Sequence, residues 1–235
     1  MDFLAELRTL WFMTEKKSQK SSRGLVVRVK TARGRSNASN RWLARQLNDP
    51  YVQKAKREGY RSRAAYKLSE IDDRFHFLGK GKNVVDLGSA PGGWAQVAVQ
   101  RCGENRVVGI DLLEIPPIAG TNFLTMDFMD DTAPDALKVL MGNPDIVLSD
   151  MAPNASGNQK LDHMRIVLLV EAAFHFACEV LKPDGIFVAK VWQGGAKTEL
   201  LAEIKRRFTT VKHVKPKASR QDSAETFLVA MGFKG

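Results

Sequence analysis

Cysteine is scarce in this chain: its 235 residues carry 2, Cys102 and Cys178, far apart and in no C-x-x-C pair. That excludes a disulfide framework, and with 4 scattered histidines it leaves no metal-ligand spacing to read. No apolar run is long enough to span a bilayer. The richest, Arg165 to Leu181, is broken by Glu171 and His175 and reads as a core-packed helix. The first residues, Met1-Asp-Phe-Leu-Ala-Glu, put acids where a secretory or transit peptide needs bases. No internal repeat is present. The expectation is a metal-free monomer of a reducing cytoplasm, without a membrane partner, of a length that suits one well-buried domain.

What is abundant is positive charge, and it is unevenly spread. The formal net charge is +10. Residues 1–67 hold 17 Lys and Arg against 5 Asp and Glu, whereas the remainder holds 19 against 21. A near-neutral domain behind a basic leader is the footprint of a polyanion binder, although charge alone would equally describe a solubilising tail.

Residues 14–40 are rich in Lys, Arg, Ser and Asn without sustained periodicity, so residues 1–40 are expected to be a basic, disordered tail before a domain over 41–235. Phe3, Leu7, Leu10 and Trp11 share one helical face within it. From Arg41 the pattern is ordered. Arg41–Leu47 and Tyr51–Ile71 read as helical, the latter broken at Gly59. Strands are expected at Val84–Leu87, Val107–Ile110, Asn122–Leu124, Ile146–Ser149, Ile186–Val191, Val211–Val214 and Thr226–Met231. Helices are expected at Trp94–Arg101, Pro134–Met141, His163–Leu181 and Ala196–Phe208. This alternation predicts an α/β fold, a seven-stranded, mostly parallel sheet with helices on both faces. The last two strands lack a helix between them, so the final strand should run antiparallel. Such an ending suits a Rossmann-like methyltransferase fold better than a dinucleotide dehydrogenase.

Asp86-Leu-Gly-Ser-Ala-Pro-Gly-Gly-Trp94 follows the first strand and opens a helix. Gly88 permits the tight turn, and Gly92 and Gly93 are expected to let backbone approach a ligand closely. Amides at the helix start can hold a carboxylate. The spacing is not the dinucleotide G-x-G-x-x-G. Asp111 at the end of the second strand is placed to accept from ribose hydroxyls. Asp127 after the third can receive an adenine amino group, with Phe128 beside it for ring contact. Asp150 ends the fourth. Singly, each acid would be a cap or turn residue; together, at successive strand ends, they favour a nucleoside-bearing cofactor.

Lys190 lies near the end of the strand after Asp150, and Glu225 begins the antiparallel one. Lys67 shares a helical face with Ala64 and Ile71 and should lean inward. A lysine near the sheet centre is costly without a partner, and Asp150 is the obvious one, though such a pair can be purely structural. The chemistry expected of the group is in-line transfer of a methyl from a sulfonium to a ribose 2′-hydroxyl, with Lys190 as base or as orienting cation.

These residues resemble the FtsJ-type ribosomal RNA 2′-O-methyltransferases over nearly all of residues 41–235. The likeness rests on Tyr51-Val-Gln-Lys, Arg61-Ser-Arg-Ala-Ala-Tyr-Lys67-Leu, the Asp86–Trp94 loop, Asp150-Met-Ala-Pro-Asn-Ala-Ser-Gly157, Phe187-Val-Ala-Lys190-Val and Ser219-Arg-Gln-Asp-Ser-Ala-Glu225. It implies a catalytic tetrad of Lys67, Asp150, Lys190 and Glu225. It implies S-adenosylmethionine contacts at Gly92, Trp94, Asp111, Asp127 and Asp150. The implied substrate is a uridine 2′-hydroxyl of 23S ribosomal RNA in the large ribosomal subunit. Other RNAs (transfer RNA or an mRNA cap), or a non-catalytic RNA-binding assembly factor, are the alternatives. Ser89 stands where Ala is common, Trp192 where Phe is usual and Phe227 where Tyr is familiar.

Overall fold

A computed structural model describes residues 34, 36–153, 156–192 and 198–235, with backbone alone at 37, 38, 41, 42, 159 and 198. Most of the expected tail over 1–40, Asn154, and the first two residues of the helix expected at Ala196 lie outside the described residues. Two units meet in sequence at Asn48 and Asp49. The first contributes helix α1 (Asn37–Asn48).

The second unit opens with α2 (Pro50–Glu58) and α3 (Ala64–Phe75). Asp49 caps α2, its Oδ1 accepting from the Tyr51 and Val52 amides, and Pro50 sits in the first turn where an amide has no helical partner. Gly59 ends the helix at φ 78°, a left-handed conformation that a side chain would strain. The break expected at this glycine is there.

The alternation follows as β1 (Val84–Leu87), α4 (Gly93–Cys102), β2 (Val107–Asp111), β3 (Thr121–Thr125), α5 (Ala133–Met141), β4 (Ile146–Ser149), α6 (Gln159–Val180), β5 (Ile186–Trp192), α7 (Thr198–Arg207), β6 (Phe208–Val214) and β7 (Glu225–Phe233). One seven-stranded sheet runs β3-β2-β1-β4-β5-β7-β6. Strand β7 is antiparallel to both neighbours and every other pairing is parallel. The predicted fold class is borne out. All four residues of β1 and of β4 are buried, without alternation, because helices cover both faces. Leu68, Ile71 and Val97 of α3 and α4 pack one face; Leu137, Phe174 and Ile204 of α5, α6 and α7 pack the other. The strand order reverses between β1 and β4, and the crevice beyond their carboxyl ends is where open sheets of this kind take ligands. Among the described residues, no helix is long and apolar enough to cross a membrane.

Candidate active site

Four charged side chains meet at the carboxyl edge of the central strands. Ser149 pairs with Ala189 in the β4–β5 register, so Asp150 and Lys190 are the next residues along adjacent strands. The Lys190 Nζ donates to the Asp150 carbonyl oxygen at 2.5 Å and lies 3.0 Å from its Oδ1. The second approach is off the hydrogen-bonding direction. Oδ1 is therefore charge-paired yet accepts no hydrogen bond among the described residues. Because β7 runs antiparallel, its first residue, Glu225, stands opposite Trp192 at this same edge. Lys67 reaches in from α3, its Nζ donating to Glu225 Oε2 at 2.7 Å and lying 3.8 Å from Asp150 Oδ2. Glu225 is steadied by Ser219, whose hydroxyl donates to Oε1 at 2.7 Å.

Two cations alternating with two carboxylates are what makes this degree of burial tolerable, since each charge has an opposite neighbour. The four side chains expose only 9–16% of their surface, so a ligand reaching them displaces little water and meets groups already held in place. Burial pushes the Asp150 carboxyl up, but the Lys190 and Lys67 charges outweigh it and hold the group below the usual carboxylate range. Burial works against the Lys67 ammonium, and the Asp150 and Glu225 charges, with the Glu225 hydrogen bond, raise it nonetheless.

Asp86, in β1 beside the switch point, is wholly buried. Its Oδ2 accepts from Ser89 at 2.7 Å, while Oδ1 has no hydrogen-bond partner among the described residues. Burial raises the carboxyl to about 7; the Ser89 hydrogen bond opposes this, and the Asp150 and Asp111 charges add to it. An acid raised in the folded state contributes stability fully present below its unfolded value of 3.8, and loses it as pH climbs through about 7. Asp86→Asn should therefore melt several degrees above the ligand-free wild type at pH 8, with the gap closing towards pH 5 in calorimetric scans. A gap that does not change with pH would contradict this account of Asp86.

The remaining expected contacts fall into two sets. Asp111 ends β2 with Oδ2 accepting from the Ala90 amide at 2.9 Å and Oδ1 from the Leu113 amide at 2.9 Å, which fixes the carboxylate against the glycine loop. Asp127 is exposed after β3, and its Oδ1 accepts from Met129 at 2.9 Å. Asp86 inside β1, Asp111 at the end of β2, and Asp127 and Asp150 just after β3 and β4 thus lie on four neighbouring strands, towards their carboxyl ends. The aromatic residues, in contrast, face the core. The Trp94 indole donates to the Ala64 carbonyl at 2.8 Å and packs on Phe227, ring centroids 5.6 Å apart. Phe128 meets Phe176 edge-on at 5.6 Å.

The glycines also have a packing reason, and Gly88 takes the left-handed φ of 79° that the expected tight turn needs. A Cβ on Gly92 would meet Ile118 and Arg61, one on Gly93 would strike Ser62, and one on Gly88 would meet Met151. Protein atoms line the space their missing side chains leave. What the loop does offer is the start of α4, which no side chain caps.

Two residues went unassigned from sequence. Ser219 positions Glu225 as described. Arg61 donates from Nη1 to the Pro91 and Pro116 carbonyls at 3.2 and 2.5 Å and from Nη2 to Pro117 at 2.7 Å, and its own amide donates to Gln96. It staples the glycine loop to the β2–β3 connection. Both stand inside the motifs quoted above, but an arginine that binds carbonyls leaves no spacing signature. Among the described residues, no group of three or more His, Cys, Asp or Glu could hold a metal ion.

The chain is similar to known proteins throughout this region. The profile of the FtsJ-like methyltransferase family matches residues 60–233. "Ribosomal RNA large subunit methyltransferase E" of Parvibaculum lavamentivorans is 57% identical over 226 residues, covering 91% of this chain and 89% of that protein. The protein of the same name from Rhizorhabdus wittichii is 60% identical over 209 residues, covering 88% and 91%. A Plasmodium falciparum crystal structure, described as that of a ribosomal RNA methyltransferase, superposes with TM-score 0.66 at 31% identity, covering 75% of this chain and all of that one.

Proposed function

The chain belongs to the FtsJ-like methyltransferase family, and from that membership we propose that it methylates a ribose 2′-hydroxyl of a uridine in 23S ribosomal RNA of the large ribosomal subunit, using S-adenosylmethionine. The observation that carries the reading is the convergence of Lys67, Asp150, Lys190 and Glu225 beside the switch point. The names of the relatives support the ribosomal large subunit as the target.

The residues present fit the methyl donor. The uncapped start of α4 suits its carboxylate, the fixed Asp111 carboxylate its ribose, and Asp127 its adenine amino group. The Oδ1 of Asp86, without a partner among the described residues, is a buried acceptor beneath the same glycine loop, to which Oδ2 is tied through Ser89. Bound there, S-adenosylmethionine supplies an electrophilic methyl on a sulfonium. The protein must align a poor nucleophile and manage its proton. Lys190, anchored on the Asp150 carbonyl, orients the hydroxyl: as a neutral amine it accepts the proton that the oxygen sheds, and as an ammonium it stabilises the developing negative charge while that proton leaves to water. Asp150 and Lys67 fix the position of Lys190, and Glu225, tied to Ser219, fixes Lys67.

Arg61→Ala should weaken S-adenosylmethionine binding by about 10-fold, roughly 1.4 kcal/mol, because the loop it staples loses its tether. Titration calorimetry checks this, and unchanged affinity would mean the loop holds its shape alone. The function itself is tested by incubating the protein and labelled S-adenosylmethionine with large ribosomal subunits that lack the modification, then mapping 2′-O-methylation. One methylated 23S uridine is expected. No incorporation, or binding of NAD in place of S-adenosylmethionine, overturns the reading.

A further inference from the structure

Of the aromatic side chains nearest the charged cluster, Trp94, Phe128 and Phe227 are at most 9% exposed and turned into the core. Trp192 also packs against the core, but only in part. It ends β5 two residues beyond Lys190, stands opposite Glu225, and keeps part of its surface open to solvent. Its indole is braced by His163 in the first turns of α6, ring centroids 6.1 Å apart and planes inclined by 49°. The outer surface of those turns carries exposed Lys160 and Arg165. An aromatic surface, a second ring holding it and flanking cations are the components of a single-stranded nucleic acid site, in which bases stack and phosphates are neutralised.

The spacing suits a nucleoside. Lys190 and Trp192 are two positions apart on β5, about 7 Å along the strand, which is the scale of a nucleoside. We propose that Trp192, braced by His163, is the platform on which the base of the target nucleotide stacks while its ribose is presented to Lys190. This rests on the methyl-transfer reading above and adds a substrate contact to it. Every base has a π-face, so stacking here places the nucleotide without selecting uridine.

The test compares wild type, Trp192→Ala, Trp192→Phe and His163→Ala on unmethylated large ribosomal subunits. Trp192→Ala should lower kcat/KM by about 5- to 150-fold, the range of one lost base–aromatic stack. Trp192→Phe should recover most of that loss and His163→Ala should cost less, with S-adenosylmethionine affinity unchanged in all three. The difference in indole emission between wild type and Trp192→Phe should change when subunits are added. Undiminished kcat/KM in Trp192→Ala overturns the proposal. So does a loss that Trp192→Phe fails to recover, or one accompanied by equal loss of S-adenosylmethionine binding. Wild-type protein that transfers no methyl overturns the underlying reading instead, and is told apart because it concerns no variant.

Discussion

Lys190→Ala lowers the single-turnover rate of methyl transfer by about 10²- to 10⁴-fold, the usual worth of a positioned proton-handling group, and leaves S-adenosylmethionine affinity nearly unchanged. The separation of the two effects follows from geometry. Lys190 contacts the Asp150 carbonyl and carboxylate, whereas the glycine loop and Asp111 are held by each other and by Arg61. With Lys190 removed, Asp150 still faces Lys67 at 3.8 Å, so no carboxylate is left without a cation. Rapid-quench transfer at saturating donor, with calorimetry on the same preparations, measures both quantities. Wild-type turnover in the variant would remove Lys190 from the chemistry.

Asp150→Ala has the larger effect on the fold. Its carboxylate is the only one paired with Lys190 among the ion pairs of the described residues, and it is shared with Lys67. Deleting one partner of a buried ion pair costs about 3–5 kcal/mol, or a fall in melting temperature of about 6–20 °C for a domain of this size. Activity should fall with it. The pH dependence has a definite sign. The Asp150 carboxyl is lowered in the folded state, so its contribution is present above the ordinary value of 3.8 and fades as pH drops through the lower folded value. Wild type and variant should differ most near neutrality and converge in strong acid. An equal melting temperature at pH 7 would show that the cluster contributes no net stability.

Much of this architecture is legible in the sequence because buried parallel strands are short apolar runs between turn residues, and Val84–Leu87 and Ile146–Ser149 are placed to the residue. The errors fall where local pattern is ambiguous. Phe208 reads as the end of a helix because Leu200, Ile204 and Phe208 recur every four residues; it is in fact the first residue of β6, entered directly from α7. Helix α6 begins four residues before its predicted start because Asn158, whose side chain accepts from the Lys160 and Leu161 amides, went unread as a cap. That β7 inserts between β5 and β6 is set by pairing across the whole chain and leaves no local trace.

The charged cluster is legible for a different reason. Lysines and acids at the ends of apolar strands are costly unless they meet, so their positions imply each other. The direction of Trp94 and Phe128 into the core, and the filling of the space beside Gly92 and Gly93 by Arg61, Ile118 and Ser62, depend on packing between distant segments. A glycine loop looks the same in sequence whether its missing side chains make room for a ligand or for protein.

Single-turnover transfer by Lys67→Ala, Lys190→Ala and the double variant tests most directly whether the two lysines form one machine. Groups that act as a unit are lost together, so the double variant should be no slower than the slower single one. A double variant slowed by the product of the two single losses would show each lysine working alone and would contradict the account.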